Sequence, residues 1–323
     1  MVPTDISVII PTLNAAETIK IILPALAAQE QPAGEVIIID SGSKDHTPGL
    51  AESLKARVLR IEPDTFDHGK TRNLGARKAR GNILVFMTQD ALPVDGSLIA
   101  NLVKPLEDPA VALAYARQLA APGATLSEQY LRLANYPPVS KTKSKDDLPV
   151  LGINTYQCSN VCAAYRRSTF ETLGGFPYPV VCNEDMLFSA RAIRAGYKVV
   201  YSAEARVQHT HHLSCKELFK RYFDISASLD HEPAIRTLGR AEARGLAFFK
   251  NQLLFLREQK KPQQVPRVIL ETTARYLGYK AGANHTRIPQ HLKKHLGSNT
   301  LYWCGTETAP GNRPEKEAKT QSK

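Results

Sequence analysis

Long apolar runs are missing from this 323-residue sequence. No stretch approaches the roughly 20 apolar residues that a membrane-spanning helix needs. No basic segment or cleavage site precedes the apolar run Ile6-Ser-Val-Ile-Ile10, so no signal peptide is expected either. Cysteine is scarce: five residues (158, 162, 182, 215, 304), an odd number at irregular spacing with no Cys-x-x-Cys set. That argues against a disulfide framework or a cysteine zinc site and for reduced thiols in a cytosol. No G-x-G-x-x-G follows the first apolar run, which removes the dinucleotide-binding fingerprint. Acidic residues fall short of basic ones mainly at the back of the chain. From Cys215 onward there are 20 Lys+Arg against 10 Asp+Glu, nearly all of the net +11.

What is present is a globular core of ordinary composition, 43% hydrophobic and 23% charged, enough to bury one large domain. Residues 6–10, 36–40, 58–61 and 83–87 read as strands buried on both faces. Ala15 to Ala28 carries Ile19, Ile22, Leu23 and Leu26 at helical spacing, and Gly69 to Arg80 reads as a helix closed by Gly81. Strands alternating with helices at this pitch predict an α/β domain with a mainly parallel central sheet. Residues 120–157 resist assignment, and their charged run 141–147 suits a mobile loop over a site or a plain surface loop. A helix from Asn183 to Gly196 and a strand at 198–201 follow. Helical segments at about 214–230, 240–259 and 264–281 come next, and a Gly/Pro/Lys/Glu-rich stretch from about 306 reads as disordered.

Polar residues gather just past the strand ends: Asn14, Asp40, Asp45 and Asp90. In open α/β sheets ligands bind beyond the carboxyl ends of the strands. Singly, each residue has a plainer reading. Asp40 and Ser41 suit a turn, Glu184 and Asp185 suit a helix start, and His68 suits a local cap. Asp90 is harder to dismiss, because a core strand (Val85-Phe-Met87) runs straight into Thr88-Gln-Asp90 and then Pro93.

Taken in order, Ser7-Val-Ile-Ile-Pro-Thr-Leu-Asn14, Ile37-Ile-Ile-Asp-Ser-Gly-Ser-Lys-Asp45, the acid Asp90 and Glu184-Asp185 resemble a family 2 glycosyltransferase over about residues 5–225. The resemblance implies the GT-A fold, a nucleotide-diphospho-sugar transferase domain, over residues 1–213. A basic helical C-terminal region (214–305) and a tail (306–323) would follow. It places Pro11, Thr12, Asn14, Glu17, Asp40 and Ser41 around the nucleotide, Asp90 on a divalent cation (Mg or Mn), and Asp185 as catalytic base. His209 or His211 falls where some members place a further metal or diphosphate contact. Thr88 stands where the family's Asp-x-Asp motif has its first acid. Phe66-Asp-His-Gly-Lys-Thr-Arg-Asn73, Thr88-Gln-Asp-Ala-Leu-Pro93 and the run from His211 to Phe223 are similar to the bacterial rhamnosyltransferase branch, which uses dTDP-L-rhamnose. That likeness adds His68, Gly69, Arg72, Asn73, Gln89 and Glu184 to the expected donor site, with the 68–73 run opening a helix toward the diphospho-sugar.

The implied chemistry is inverting transfer to a saccharide or lipid-linked acceptor in bacterial surface polysaccharide synthesis. A nucleotidyltransferase shares the layout but wants a Gly-rich basic loop after the first strand, which Pro-Thr-Leu-Asn-Ala-Ala-Glu17 lacks. A non-catalytic basic scaffold for nucleic acid or membrane is the other alternative. For the enzyme no nucleic acid is expected, and the basic C-terminal third suits an anionic membrane surface. The expected location is the cytoplasm, peripheral to the inner face of the membrane. Acceptor, linkage and the choice of dTDP or UDP stay open at this level.

Overall fold

The structure is a computed structural model that describes residues 5–211, 213–232, 235 and 241–305, the side chains of 241–244 excepted. The first strand, β1 (Ile6–Thr12), leads into α1 (Ala16–Ala27), β2 (Glu35–Asp40), α2 (Thr47–Ser53) and β3 (Arg57–Arg60). Then come α3 (His68–Lys78), β4 (Ile83–Met87), the two-residue β5 (Leu92–Pro93), α4 (Leu98–Val103) and β6 (Val111–Leu119). The middle holds α5 (Leu126–Asn135), β7 (Lys141–Lys143), α6 (Leu148–Leu151), β8 (Cys162–Arg166), α7 (Arg167–Thr172), α8 (Glu184–Arg194) and β9 (Lys198–Gln208). Helices alone follow: α9 (Cys215–Ser228), α10 (Ala241–Glu258), α11 (Val265–Ala283), α12 (Gln290–Leu296) and α13 (Thr300–Gly305). The expected disordered tail lies outside the described residues.

One sheet in the order β3-β2-β1-β4-β8-β6-β9-β5, with β7 added on β9, carries the molecule. The α/β architecture expected from the sequence is present. Its first four strands are parallel, as are β6 and β9, whereas β8, β5 and β7 pair antiparallel with their neighbours. Alternation along β1 divides its side chains between two cores. Ile6, Val8 and Ile10 pack with Ile19 and Leu26 of α1 and Leu98 and Leu102 of α4. Ile9 turns the other way, toward Ile39, Phe86 and the aromatic group Tyr165, Phe170, Phe176 and Phe188. On that face α3 comes close enough that a Cβ on Gly75 would sit 2.5 Å from Ile9 Cγ2.

The region 120–157 is more ordered than the sequence suggested. α5 and β7 are built into it, and β7 pairs with β9 through Thr142 and Val200. β6 went unread because Ala112, Ala114 and Ala116 favour a strand weakly, although all three are buried in the sheet.

Beyond the sheet, α9 starts on a capping box. The Ser214 hydroxyl accepts from the Glu217 backbone N–H, and the Glu217 side chain accepts from that of Ser214. α11 then lies tight against α9, because a Cβ on Gly278 or Gly282 would come within 2.2 Å of the Phe219 or Phe223 carbonyl oxygen. Buried Asp224 ties the last helices to α9, accepting from Trp303 Nε1 at 2.7 Å and from the Ser298 N–H at 2.7 Å.

Candidate active site

The parallel strands β1 and β2 deliver Asn14 and Asp40 to the same sheet edge. Asp40 is buried, and its carboxylate accepts from the N–H groups of Gly42 (3.1 Å) and Ser43 (3.0 Å) and from the Ser43 hydroxyl. Asn14 takes a left-handed backbone (φ 50°), which Asn tolerates better than most residues. Its N–H donates to Ser43 Oγ at 2.8 Å, and its side-chain oxygen accepts from the Lys44 N–H at 2.9 Å. Asn14 and Asp40 therefore stitch two strand-end loops together. Beneath them the buried hydroxyls of Thr12 and Ser41 have no partner among the described residues. Pro11 is half-buried in the same strand end.

Two of the expected donor residues, Gln89 and Asn73, are engaged elsewhere, and a third, Glu17, faces solvent. Gln89 brackets the loop after β1, accepting from the Leu13 N–H at 2.8 Å and donating to the Leu13 carbonyl at 3.3 Å. Glu17 points into solvent, its side chain 91% exposed, with only Lys20 at 3.9 Å. Asn73 clips α3 to the Gly174-Gly175 turn, donating to the Phe176 carbonyl (2.8 Å) and accepting from its N–H (2.9 Å). Gly69 lies against that same turn, where a Cβ would meet the Pro177 carbonyl oxygen at 2.1 Å.

A second group forms where β5 and β6 both pair with the end of β9. Leu92 faces Gln208 on one side and Leu119 faces it on the other, so Asp90 and Gln118 arrive on either flank of His209. His209 is 3% exposed, with its Nε2 3.3 Å from Asp90 Oδ2, and His211 Nδ1 lies 3.8 Å from the same oxygen. The ligand atoms of Asp90, His209 and His211 all fall within 4.8 Å of one another. Burial pushes the Asp90 carboxyl up, but the hydrogen bond and charge of His209, helped by Thr88 and His211, win and hold it below the usual range. His211 is pushed down to about 4, first by burial and then by the neighbouring His209.

Gln118 fixes the tautomer. Its Oε1 accepts from Arg132 Nη1 at 2.6 Å, so the same oxygen also accepts from His209 Nδ1–H at 3.1 Å. His209 Nε2 is thereby aimed at the Asp90 carboxylate, 3.3 Å away, where the two groups share a proton or, in its place, a metal cation. The donor set, one carboxylate and two imidazoles with a hydrogen-bonded outer partner, suits a divalent cation.

The third group opens α8. Asn183 enters it with φ 63°, and Glu184 and Asp185 fill its first turn. Glu184 is 5% exposed, paired with Arg72 at 3.2 Å and hydrogen-bonded by Asn160 Nδ2 at 3.0 Å. Burial opposes its charge, yet Arg72 and then His68 and Asn160 hold its carboxyl below the usual range. Arg72 also donates to the His68 carbonyl at 3.1 Å, and burial keeps His68 itself below the ordinary imidazole range. Asp185 behaves oppositely. Burial, then the charge of Glu184, pushes it up to about 7 against the N–H donors of Asn160 (2.8 Å) and Met186 (2.7 Å).

One hydrogen-bond chain links the second and third groups. Gln118 Nε2 donates to Ser159 Oγ at 2.8 Å, and the next residue, Asn160, serves both acids of α8. Tyr165 fixes Asn160 by donating to its Oδ1 at 2.8 Å. Sequence reasoning missed Gln118, Arg132, Ser159 and Asn160, because their partners lie 14 to 91 residues away.

The chain resembles known proteins in both sequence and fold. The family description "Glycosyl transferase family 2" matches residues 7–174. The chain is 40% identical over 301 residues to the O-antigen chain rhamnosyltransferase RfbN of Salmonella typhimurium, covering 92% of this chain and 96% of that one. It is 37% identical to the O-antigen chain rhamnosyltransferase WbaN of Salmonella anatum, covering 92% and 95%. Among solved structures, the mannosyltransferase PcManGT from Pyrobaculum calidifontis, in complex with GDP-Man and Mn2+, superposes with a TM-score of 0.54 at 20% identity, covering 85% of this chain and 88% of that one. That last likeness is one of fold, the GT-A type.

The cation reading has a direct check. Titrating Mn2+ into Asp90→Ala should give no specific heat of binding, and Gln118→Ala should weaken binding about 10–100-fold by freeing the His209 ring. Unchanged Mn2+ affinity in Asp90→Ala would remove the cation from this cluster.

Proposed function

Starting from glycosyl transferase family 2, to which this chain belongs, we propose that the enzyme moves L-rhamnose from dTDP-L-rhamnose to a saccharide acceptor with inversion at the anomeric carbon. The observation that carries the sugar assignment is the identity of 40% and 37% to two rhamnosyltransferases across more than nine-tenths of each chain. The alternative of a nucleotidyltransferase has no comparable support.

In this reading the nucleotide lies over the ends of β1 and β2. The loops braced by Asn14 and Asp40, with the buried, unpartnered hydroxyls of Thr12 and Ser41 behind them, receive it. Asn73 and Gln89 hold α3 and the loop after β1 in place, whereas the exposed Glu17 carboxylate stays free. A divalent cation, Mg2+ or Mn2+, held by Asp90 with His209 and His211, supplies neutralising charge to the departing diphosphate. The two histidines make good the first acid of the Asp-x-Asp motif, which Thr88 replaces.

Asp185 is the base. Transfer passes through an oxocarbenium-like state, in which the bond from the anomeric carbon to the diphosphate breaks as the acceptor oxygen closes from the opposite face. The acceptor's proton goes to an Asp185 carboxylate oxygen. With a pKa of about 7, Asp185 is ionised in a substantial fraction of molecules at neutral pH and basic enough to take the proton. Glu184 is not a second base, because Arg72 holds its charge.

No helix among the described residues is long and apolar enough to cross a membrane. Attachment through basic residues is the proposed route to a membrane-bound acceptor, on the inner face of the cytoplasmic membrane. Lys250, Arg257, Lys260 and Lys261 are all exposed near the turn from α10 to α11. The side chains of Arg236, Arg240 and Arg244, also expected to contribute, lie outside the described residues. Each cation near an anionic surface contributes about 1 kcal/mol within a Debye length. Binding to vesicles containing phosphatidylserine should fall steeply with salt and be absent for neutral vesicles. Binding that ignores both would remove this attachment.

The chemical assignment is tested by turnover with dTDP-L-rhamnose as a function of pH. Asp185 must lose its proton to act, so turnover should rise tenfold per pH unit below about 7 and level off above it. Asp185→Asn should lose roughly 10²–10⁴-fold with donor binding retained. Glu184→Gln removes the charge that raises the Asp185 pKa, so its limb should move to lower pH. A pH-independent rate between 5 and 8, or an unchanged rate in Asp185→Asn, would defeat the base assignment. Turnover with UDP-sugars but none with dTDP-L-rhamnose would defeat the donor alone.

A further inference from the structure

One buried charge belongs to none of the three groups that form the site. Lys143, on β7, is 3% exposed, and no ion pair among the described residues involves it. Lysine is almost never sealed from water without a partner, because the ammonium gives up its hydration. Its three N–H donors are all spent on neutral oxygens. Nζ donates to Tyr115 Oη at 3.2 Å, to the Asn154 carbonyl at 3.4 Å and to the Gln157 carbonyl. It also lies 4.9 Å from the centre of the Tyr115 ring.

β7 does not need that charge. Lys141, Thr142 and Lys143 already pair with β9, and a capping box on Ser144 and Asp147 closes the end of the strand. The ammonium instead holds what lies across from it. Asn154 sits in a 3-10 turn (Gly152–Tyr156), and neither helix nor strand covers the residues from Gln157 to Val161. Within that stretch Ser159 accepts from Gln118 at 2.8 Å. Asn160 donates its N–H to Asp185 at 2.8 Å and its Nδ2 to Glu184 at 3.0 Å.

We infer that Lys143 is a positioning residue of the reaction: its ammonium pins the carbonyls of Asn154 and Gln157, and through them sets where Asn160 meets Asp185. The inference rests on the reading of Asp185 as the base and adds what keeps that base's hydrogen-bond donor in place. The hold depends on a proton. A neutral amine has two N–H groups and a lone pair, so one of the three oxygens loses its bond. Tyr115 on β6 and Cys158 in the pinned segment are held above their ordinary ranges by burial, so neither brings a negative charge at neutral pH. Lys141 on the same strand opposes the ammonium, and Asp147 in the following turn favours it. Burial outweighs both and pushes Lys143 down to about 8. The ammonium is therefore present at neutral pH and is lost as pH rises through about 8.

The test is dTDP release from dTDP-L-rhamnose with Mn2+ against pH, on the full chain, beside amide hydrogen exchange at Asn160 without substrate. The wild-type rate should level off above about 7 and fall again as pH passes about 8. Lys143→Met keeps an unbranched side chain and should lower the rate at neutral pH about 10–100-fold. It should keep the acid limb, lose the alkaline fall and leave dTDP affinity unchanged. Exchange at the Asn160 amide should quicken while the amides of β4 keep their protection. A folded Lys143→Met with the wild-type rate or wild-type Asn160 protection overturns the inference. So does a rate loss that only matches a loss of folded protein. Weaker dTDP binding would place Lys143 in the donor site and overturn it too. If Lys143→Met does not fold, the wild type decides. Its alkaline fall and the titration of the Cys158 amide nitrogen, next to the Gln157 carbonyl, should share a midpoint of about 8. A rate that stays flat there, or a Cys158 amide that does not titrate, overturns the inference. Asp185→Asn tests the base with Lys143 intact, and Asn160 exchange needs no reaction, so either reading can fail without the other.

Discussion

Two adjacent acids in one buried turn cannot both carry charge freely, and the Arg72–Glu184 ion pair decides which one does. The guanidinium lies 3.2 Å from Glu184, both side chains nearly sealed from solvent. Removing either partner of such a pair costs about 3–5 kcal/mol, because the other is left as an uncompensated buried charge. The pair fixes more than charge. It joins α3 to α8, and the Asn73 bonds to Phe176 and the close contact at Gly69 hold α3 where Arg72 can reach. The aromatic cluster around Phe176 and Phe188 supports both helices from below. Asp185 inherits the consequence: a dry site and a fixed negative neighbour raise its proton affinity, as the proposed base requires.

The cation cluster is built by a different constraint, strand register. Because β5 and β6 both align with Gln208 at the end of β9, Asp90 and Gln118 meet His209 from opposite sides. Gln118 then works in two directions, orienting His209 through Oε1 and reaching Ser159 through Nε2. A shift at Gln118 would disturb the Asp90 cluster and the loop carrying Asn160 together, which in the proposed mechanism couples the leaving-group side to the base.

The legible part of the fold was what burial writes into local sequence. β1, β2 and β4 appear as apolar runs because both faces of those strands are covered, and α1 shows its buried stripe in Ile19, Ile22, Leu23 and Leu26. Asp40, Asp90 and Asp185 stood out because an acid at the end of a core strand or the first turn of a helix is locally conspicuous. β6 was illegible, since an alanine-rich strand has no local signature, and with it went Gln118. The contacts of Asn73 and Gln89 were hidden for a related reason. A side-chain amide binds a ligand or a backbone equally well, and only the fold shows that Phe176 and Leu13 already occupy them. The state of Glu184 was likewise hidden, because its partner Arg72 lies in a separate helix.

The proposed chemistry turns on the protonation of one carboxyl group. Titrating the folded protein with 13C-labelled aspartate, and assigning Asp185 by its loss in Asp185→Asn, reads that group directly and without substrate. The expected midpoint is about 7, set by burial and by the charge on Glu184. A midpoint near 4, the ordinary value for an exposed aspartate, would mean that Arg72 and Glu184 do not tune Asp185, and the central claim would fall.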